Sequence, residues 1–276
     1  MRPAAAPRSF PDAPVSSGCC GSALGRTRKL LICEVFYREF CAALARTPHV
    51  VEVEFIEQGL HSKPSGQMRD ALQRYVDACD AARYEYLLLG YGLCNNGLAG
   101  VRARQVPLVI PRAHDCITFF LGSRQRYAEV FKAKPGTYYL TSGWLERAHN
   151  SEQKLNGPTG THAEQAAYED YVKRFGEEEA KYLMETLGAW RAHYERMLYI
   201  ELGLGDPQAL RAAAKAHAEQ LGLPLEEMQG DLRLFHALVD GPPWDESEFL
   251  VVPAGYEIRP SYDEKILEAR PVSASA

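Results

Sequence analysis

No apolar run in the chain approaches the roughly 18 to 20 residues that a membrane helix needs. Basic residues are outnumbered, 31 to 36, which leaves the 276 residues with a formal charge of −5. The longest basic cluster, Arg26 to Lys29, is short and near the start, so no polyanion-binding surface and no nucleic-acid partner are expected. Seven cysteines are too few and too irregularly spaced for a secreted disulfide scaffold, and the odd count leaves one over. There is no CxxC pair, the rhythm of zinc ribbons and common iron–sulfur clusters. The glycine-rich stretches have neither GxGxxG spacing nor a Walker lysine, so the usual nucleotide signatures are missing. Residues 1–28 are rich in Pro, Ala, Ser, Gly and Arg and contain no apolar segment of the roughly 7 to 15 residues of an export signal. They read as a disordered tail, and Cys19 and Cys20 within it are discounted as ligands. What remains is a soluble protein, expected in the cytoplasm, whose cysteines are thiols or ligands.

At 46% hydrophobic residues the chain has material for one globular domain, or two small ones closely joined. From Lys29 the pattern alternates. Leu30 to Cys33, Val50 to Ile56, Tyr86 to Leu89, Leu108 to Ile110 and Thr137 to Leu140 read as strands. Arg38 to Arg46, a segment opened by Ser65, and Ile117 to Phe131 read as helices between them. The aromatic stripe from Tyr168 to Leu198 has the spacing of long amphipathic helices. Asp206-Pro207 opens a further helix that Gly222 ends. Leu225 to Met228 and Phe249 to Val252 read as strands, and Asp231 as the cap of a helix through Val239. Apolar strands alternating with helices predict a Rossmann-like, doubly wound α/β fold with a mostly parallel sheet. The domain is expected over 29–260, with 261–276 as a C-terminal tail. Glu57-Gln58-Gly59 and Met228-Gln229-Gly230 each precede a helix and an apolar strand ending near a glycine. Halves at 29–134 and 135–260 would follow from a duplication, or merely from two βαβ units obeying the same rules.

In open α/β sheets, ligands bind in the loops beyond the carboxyl ends of the strands. Those loops hold Cys33 and Glu34, then Gly59 to His61, Gly90 to Gly97 with Cys94, Pro111 to Cys116, and Thr141 to Trp144. Thiolate and imidazole suit soft or borderline metals, and a catalytic zinc takes three protein ligands and leaves one position open. Cys33, Cys94 and Cys116 can supply that set, with His61 or His114 as a substitute or supporting ligand. Zinc is the expected metal; an iron–sulfur cluster or a corrinoid is less favoured. Cys41 and Cys79 fall within helices and read as small core hydrophobes. His114 and Asp115 are the candidate acid–base residues, although Asp115 also suits the N-cap of the helix at Ile117. Gly90, Gly92, Asn96 and Gly97, with Arg124 and Arg126, form a candidate cofactor- or anion-binding set, since glycines admit backbone amides and arginine forks match carboxylates and phosphates. Turn formation and a solvated helix face explain the same residues equally well.

At GYGLCNNGLAG, PLVIPRAHDCI, FLGSRQRY and PGTYYLTSGW the chain resembles an uncharacterised bacterial and archaeal family, a domain of unknown function, from about Leu30 to near Gly255. The resemblance is carried by Gly90, Gly92, Cys94, Asn96, Gly97, Pro111, His114, Asp115, Cys116, Gly122, Ser123, Arg124, Tyr127, Gly143 and Trp144. Members are often encoded near corrinoid-dependent methyl-transfer proteins. The resemblance therefore implies one-carbon or metallocofactor metabolism, with a corrinoid-dependent methyltransferase system as a partner. The expectation is a metal-dependent transferase acting on a small molecule. The alternative is a non-catalytic protein that binds or delivers a metal or corrinoid to a methyltransferase.

Overall fold

The computed structural model describes residues 27–62, 65–94, 96–147, 172–173, 176–178, 194–261 and 263–272. Its frame is a five-stranded sheet of β1 (Thr27–Cys33), β2 (Val51–Ile56), β3 (Tyr84–Gly90), β4 (Leu108–Pro111) and β8 (Phe249–Val252), in the order β2-β1-β3-β4-β8. The first four strands pair in parallel, and β8 runs antiparallel to β4. A second, wholly parallel sheet is formed by β5 (Thr137–Thr141), β6 (Arg196–Glu201) and β7 (Leu225–Gln229), in that order. The fold is α/β with a mostly parallel central sheet, as the alternation predicts.

β1 lies between β2 and β3, and Leu30, Leu31 and Ile32 have no exposed surface. Consecutive residues point to opposite faces of a strand, so a fully apolar run needs cover on both. The next pair back shows what provides it. Arg28 donates to the Val239 carbonyl of α7 (Arg233–Asp240) at 2.8 Å and to Glu85 at 2.9 Å. Lys29, on the other face, pairs with Glu54 at 2.9 Å and borders a groove also lined by Asp70 and Arg74 of α2 (Ser65–Asp77). Each fully buried leucine or isoleucine contributes roughly 1.5–3 kcal/mol.

Further helices are α1 (Tyr37–Leu44), α3 (Ile117–Leu121), α4 (Arg124–Ala133), α5 (Ser142–Arg147) and α6 (Pro207–Leu221). Asp206 caps α6 by accepting from the Gln208 and Ala209 amides, and Gly222 ends it at φ 67°. The single helix expected over 117–131 is two, because Gly122 closes α3 in the left-handed region and Ser123 caps α4 by accepting from the Arg126 amide. Phe36, Phe40, Phe119, Phe120 and Phe235, all buried, form one ring cluster joining α1, α3, α7 and the 3₁₀ turn Glu34–Phe36.

Other differences from the sequence reading have physical reasons. Met197 and Leu198, expected at the end of a helix, lie in β6, whose residues through Ile200 are buried. A short apolar run buried on both faces has no periodicity that separates strand from helix. Most of the helical stretch expected from Tyr168 onward lies outside the described residues, as do residues 1–26 of the expected tail; Thr27 and Arg28 already belong to β1. Much of 261–276 is not a tail. β9 (Tyr256–Pro260) and β10 (Leu267–Pro271) form an antiparallel hairpin that buries Ile258, Ile266 and Leu267. The two echoing segments end in β3 and β8, one paired in parallel with both neighbours and the other antiparallel.

Glu39 of α1 is buried, and burial pushes its carboxyl up to about 7, against hydrogen bonds that include one from the Ser142 hydroxyl. Its Oε2 has no partner among the described residues. Below the ordinary carboxylate range both folded and unfolded states hold the proton. As pH rises, the unfolded chain ionises first, so stability falls from there to about pH 7 and then stays low. The neutral isostere Glu39→Gln is expected to be the more stable protein at pH 8 by roughly 3 kcal/mol, and by little near pH 4.5. Urea midpoints at the two pH values measure the difference; an equal gain at both would contradict the buried, ionising carboxyl.

Candidate functional site

β1 ends on Cys33, and the turn after it carries Phe36 into the ring cluster. β3 ends on Gly90, where a Cβ would stand 2.4 Å from Ile32 and 2.8 Å from Phe40. The chain then continues beside the segment that follows β4: the Leu93 amide donates to the Ala113 carbonyl at 2.8 Å and the Cys94 amide to that of His114 at 3.0 Å. Gly92 packs onto the Asp115 backbone so closely that a Cβ would meet it at 2.7–2.9 Å. A turn closed by the Gly97 amide on the Cys94 carbonyl (2.9 Å) follows, with Cys94 at φ 44° and Asn96 at φ 60°. Positive φ at a non-glycine residue costs of order 1–3 kcal/mol and persists only where the surroundings impose it. Here they hold the Cys94 side chain beside the 113–116 segment.

The three thiols of these loops are electrostatic neighbours. Burial pushes Cys33 and Cys94 up to about 12 and Cys116 well above the thiol range. After burial, Cys33 feels the charge of Cys116, Cys94 that of Cys33, and Cys116 those of Asp115 and Cys94. Against burial, a nearby N–H favours the thiolate at each sulfur: the Val35 amide at Cys33, the Gly92 amide at Cys94 and the Trp144 indole at Cys116. The Trp144 contact depends on α5 pressing onto the turn after β1, where a Cβ on Gly143 would stand 1.7 Å from the Val35 carbonyl oxygen. None of the described cysteines is in a disulfide.

Asp115 joins the cluster to the surface. Its Oδ1 accepts from the Ile117 amide at 3.0 Å, the capping role, while its Oδ2 accepts from the Tyr127 hydroxyl at 3.0 Å. Burial raises its pKa against those bonds and the nearby His114. The Tyr91 hydroxyl is buried near Cys33 and Cys94 and has no partner among the described residues. Composition and spacing did not single out Tyr91, Tyr127 or the Trp144 donor as parts of the centre; their places depend on packing between distant segments.

Other candidates fall elsewhere. His114 is exposed and, with Arg124, lines a cleft over α4. Arg126 instead donates to the Leu121 and Gln229 carbonyls, tying α4 to the end of β7, so it is placed as a strut and not as a wall of that cleft. Gly90 and Gly97 are positions of close packing, Gly97 against the Met68 side chain, and Asn96 is exposed. His61 falls in the 3₁₀ turn Gln58–Ser62, but its side chain lies outside the described residues. Among the described residues no group of three or more His, Cys, Asp or Glu stands ready to hold a metal ion.

The close approach at Gly92 yields a direct test. Gly92→Ala is expected to displace the Asp115 backbone and destabilise the protein by about 1–3 kcal/mol, whereas Gly66→Ala, with nothing nearer than 3.9 Å, should be neutral or slightly stabilising. Thermal melts of the two variants against the parent check this; equal melting temperatures would remove Gly92 as the contact that sets the Cys94 loop against the 113–116 segment.

No curated protein and no solved structure matches the chain. A family described as a protein of unknown function (DUF1638) matches residues 55–239, well over half of the chain. The matched stretch holds Cys94, Cys116, Asp115 and Tyr127, while Cys33 lies before it. The chain belongs to the DUF1638 family.

Proposed function

We propose that the chain is a metal-thiolate enzyme in which Cys33, Cys94 and Cys116 hold a thiophilic divalent ion, zinc by the chemistry of the donors, beside an open position for a small-molecule substrate. The observation that carries this reading is the meeting of three thiols, Cys33 buried and Cys94 and Cys116 half-buried, each with a nearby N–H that favours its thiolate. A neutral thiol is a weak acceptor and gains little from such donors; a thiolate is a strong one. Desolvation and mutual repulsion hold the three protonated, and a divalent cation among them offsets both. The three sulfurs must close on the ion, because the described side chains are not already set as a cage. His61 is the proposed supporting ligand, and His114 with Asp115 the proposed acid–base pair.

Three thiolates on Zn²⁺ leave the centre with a net negative charge. A metal held there would lower the pKa of a substrate thiol at its open position, the proton passing to solvent or to the proposed acid–base pair, and the thiolate would remain nucleophilic enough to accept a methyl group. That chemistry agrees with the one-carbon setting that the motif resemblance implies, and a corrinoid-dependent methyltransferase system is the proposed partner. Reduced thiols of this kind belong in a reducing compartment, for which we propose the cytoplasm.

Metal analysis of anaerobically purified protein is expected to find about one zinc per chain, as three protein ligands and an open position require. Cys94→Ser should lose the metal while its circular dichroism is unchanged, since Cys94 is a loop residue. Because the thiols must give up protons, metal binding at neutral pH should release protons and weaken as the solution is acidified. Wild-type protein without metal affinity, or a Cys94→Ser protein that keeps its metal, would overturn the reading. Methyl transfer to a thiol by the loaded protein separates the enzyme from a delivery protein, which would instead pass its metal on.

A further inference from the structure

We infer that the cleft of about 970 Å³ over α4 binds a small organic anion with a flat, apolar body, its acidic head on Arg124 and its body against Phe131. The proposal goes beyond the metal reading and does not depend on it.

The first observation is a cation left over. In the described chain most arginines meet a carboxylate, as Arg28, Arg38, Arg83, Arg104 and Arg211 do, or main-chain carbonyls, as Arg112 and Arg126 do. Arg124 has neither among the described residues, although the chain carries more acidic than basic groups. It lines the cleft with Lys132 and His114, and its charge reaches Arg112. Of the carboxylates in the same lining, Glu248 is in an ion pair with Arg233. Asp263 accepts from the Ser261 hydroxyl and the Lys265 amide, and Glu264 remains. An anion seated on Arg124 gives that side chain the charged partner it lacks.

Two further features point the same way. Ser123 and Arg124 open α4 into the cleft, so the partial positive end of a ten-residue helix adds to the side-chain charge. Phe131 is 48% exposed, one of few large apolar side chains so placed, and its ring stacks parallel to Tyr127 with centroids 6.2 Å apart and planes 6° apart. Tyr127 in turn stacks on Tyr139. An exposed ring in a charged cleft, backed by two more rings, is a surface for a flat ligand. The Tyr127 hydroxyl, on Asp115, joins this cleft to the segment bearing Cys116.

Calorimetric titration of the full chain at low ionic strength with phenyl phosphate, benzoate and inorganic phosphate tests the proposal. Phenyl phosphate or benzoate is expected to bind once per chain, and whichever binds more tightly identifies the acidic head. Arg124→Ala should weaken that binding roughly tenfold or more, as loss of a charge-assisted pair does, and Lys132→Gln by less. Phe131→Ala should weaken the aromatic anion selectively. Arg46→Ala, outside the cleft lining, should change nothing. The Cys94→Ser protein should bind the anion as the parent does, so failure here and failure of the metal reading are separate results. Absence of binding, equal affinities for parent and Arg124→Ala, or inorganic phosphate bound as tightly as phenyl phosphate would each overturn it.

Discussion

The rings of Phe36, Phe40, Phe119, Phe120 and Phe235 pack with centroids 4.8 to 5.9 Å apart, and the loops that carry candidate ligands are tied to them. Phe36 stands three residues after Cys33, Phe119 three after Cys116, and Gly90, four before Cys94, packs against Phe40. Each buried ring contributes roughly 1.5–3 kcal/mol by area alone, with about 0.5–1.5 kcal/mol more for favourable ring pairs. The core and the candidate site therefore share one constraint. The helices pack on the sheet through the same side chains that hold the strand-end loops in place.

Backbone contacts finish the positioning. The segment after β3 lies along the segment after β4 through the amides of Leu93 and Cys94, and glycine at 92 admits the Asp115 backbone. Glycine at 143 does the same for α5, which brings Trp144 to Cys116. The thiols sit deep enough that burial leads every shift, so their reactivity without a cation is low. Asp115 takes the capping role, accepting from the Ile117 amide with one oxygen and from the Tyr127 hydroxyl with the other. A carboxylate has two oxygens and several lone pairs, so the cap and the Tyr127 contact do not compete.

Local chemistry was readable wherever one residue type has one use. Asp206 with Pro207, and Gly222 at the far end, delimit α6 as their capping preferences require. The Gly122-Ser123 pair carried the break between α3 and α4, a stop and a start side by side, but the longer apolar pattern masked it. The Met197-Leu198 stretch was misread because apolar residues buried on both faces of a sheet lose the alternation that marks a strand. The C-terminal hairpin was missed because its strands are short and half polar. Its buried residues, Ile258, Ile266 and Leu267, are covered only through contacts with distant segments, such as the bond from the Ile258 amide to the Val101 carbonyl.

By itself the sequence determined the α/β class, the parallel sense of most strands and the placing of Cys33 at the end of a strand and of Cys94 and Cys116 in loops after strands. Each follows from hydrophobic periodicity and the preferences of turn residues, which act over a few positions. Tertiary structure decided which loops meet. The order β2-β1-β3-β4 sets the ends of β1, β3 and β4 side by side, and strand order is a matter of contacts tens of residues apart. It also decided which of two neighbouring arginines is available. Arg126 turns to carbonyls of α3 and β7, and Arg124, two residues earlier on the same helix, faces the cleft. Two residues on a helix lie about 200° apart, so they look in nearly opposite directions, and only the packing of the helix says what each one meets.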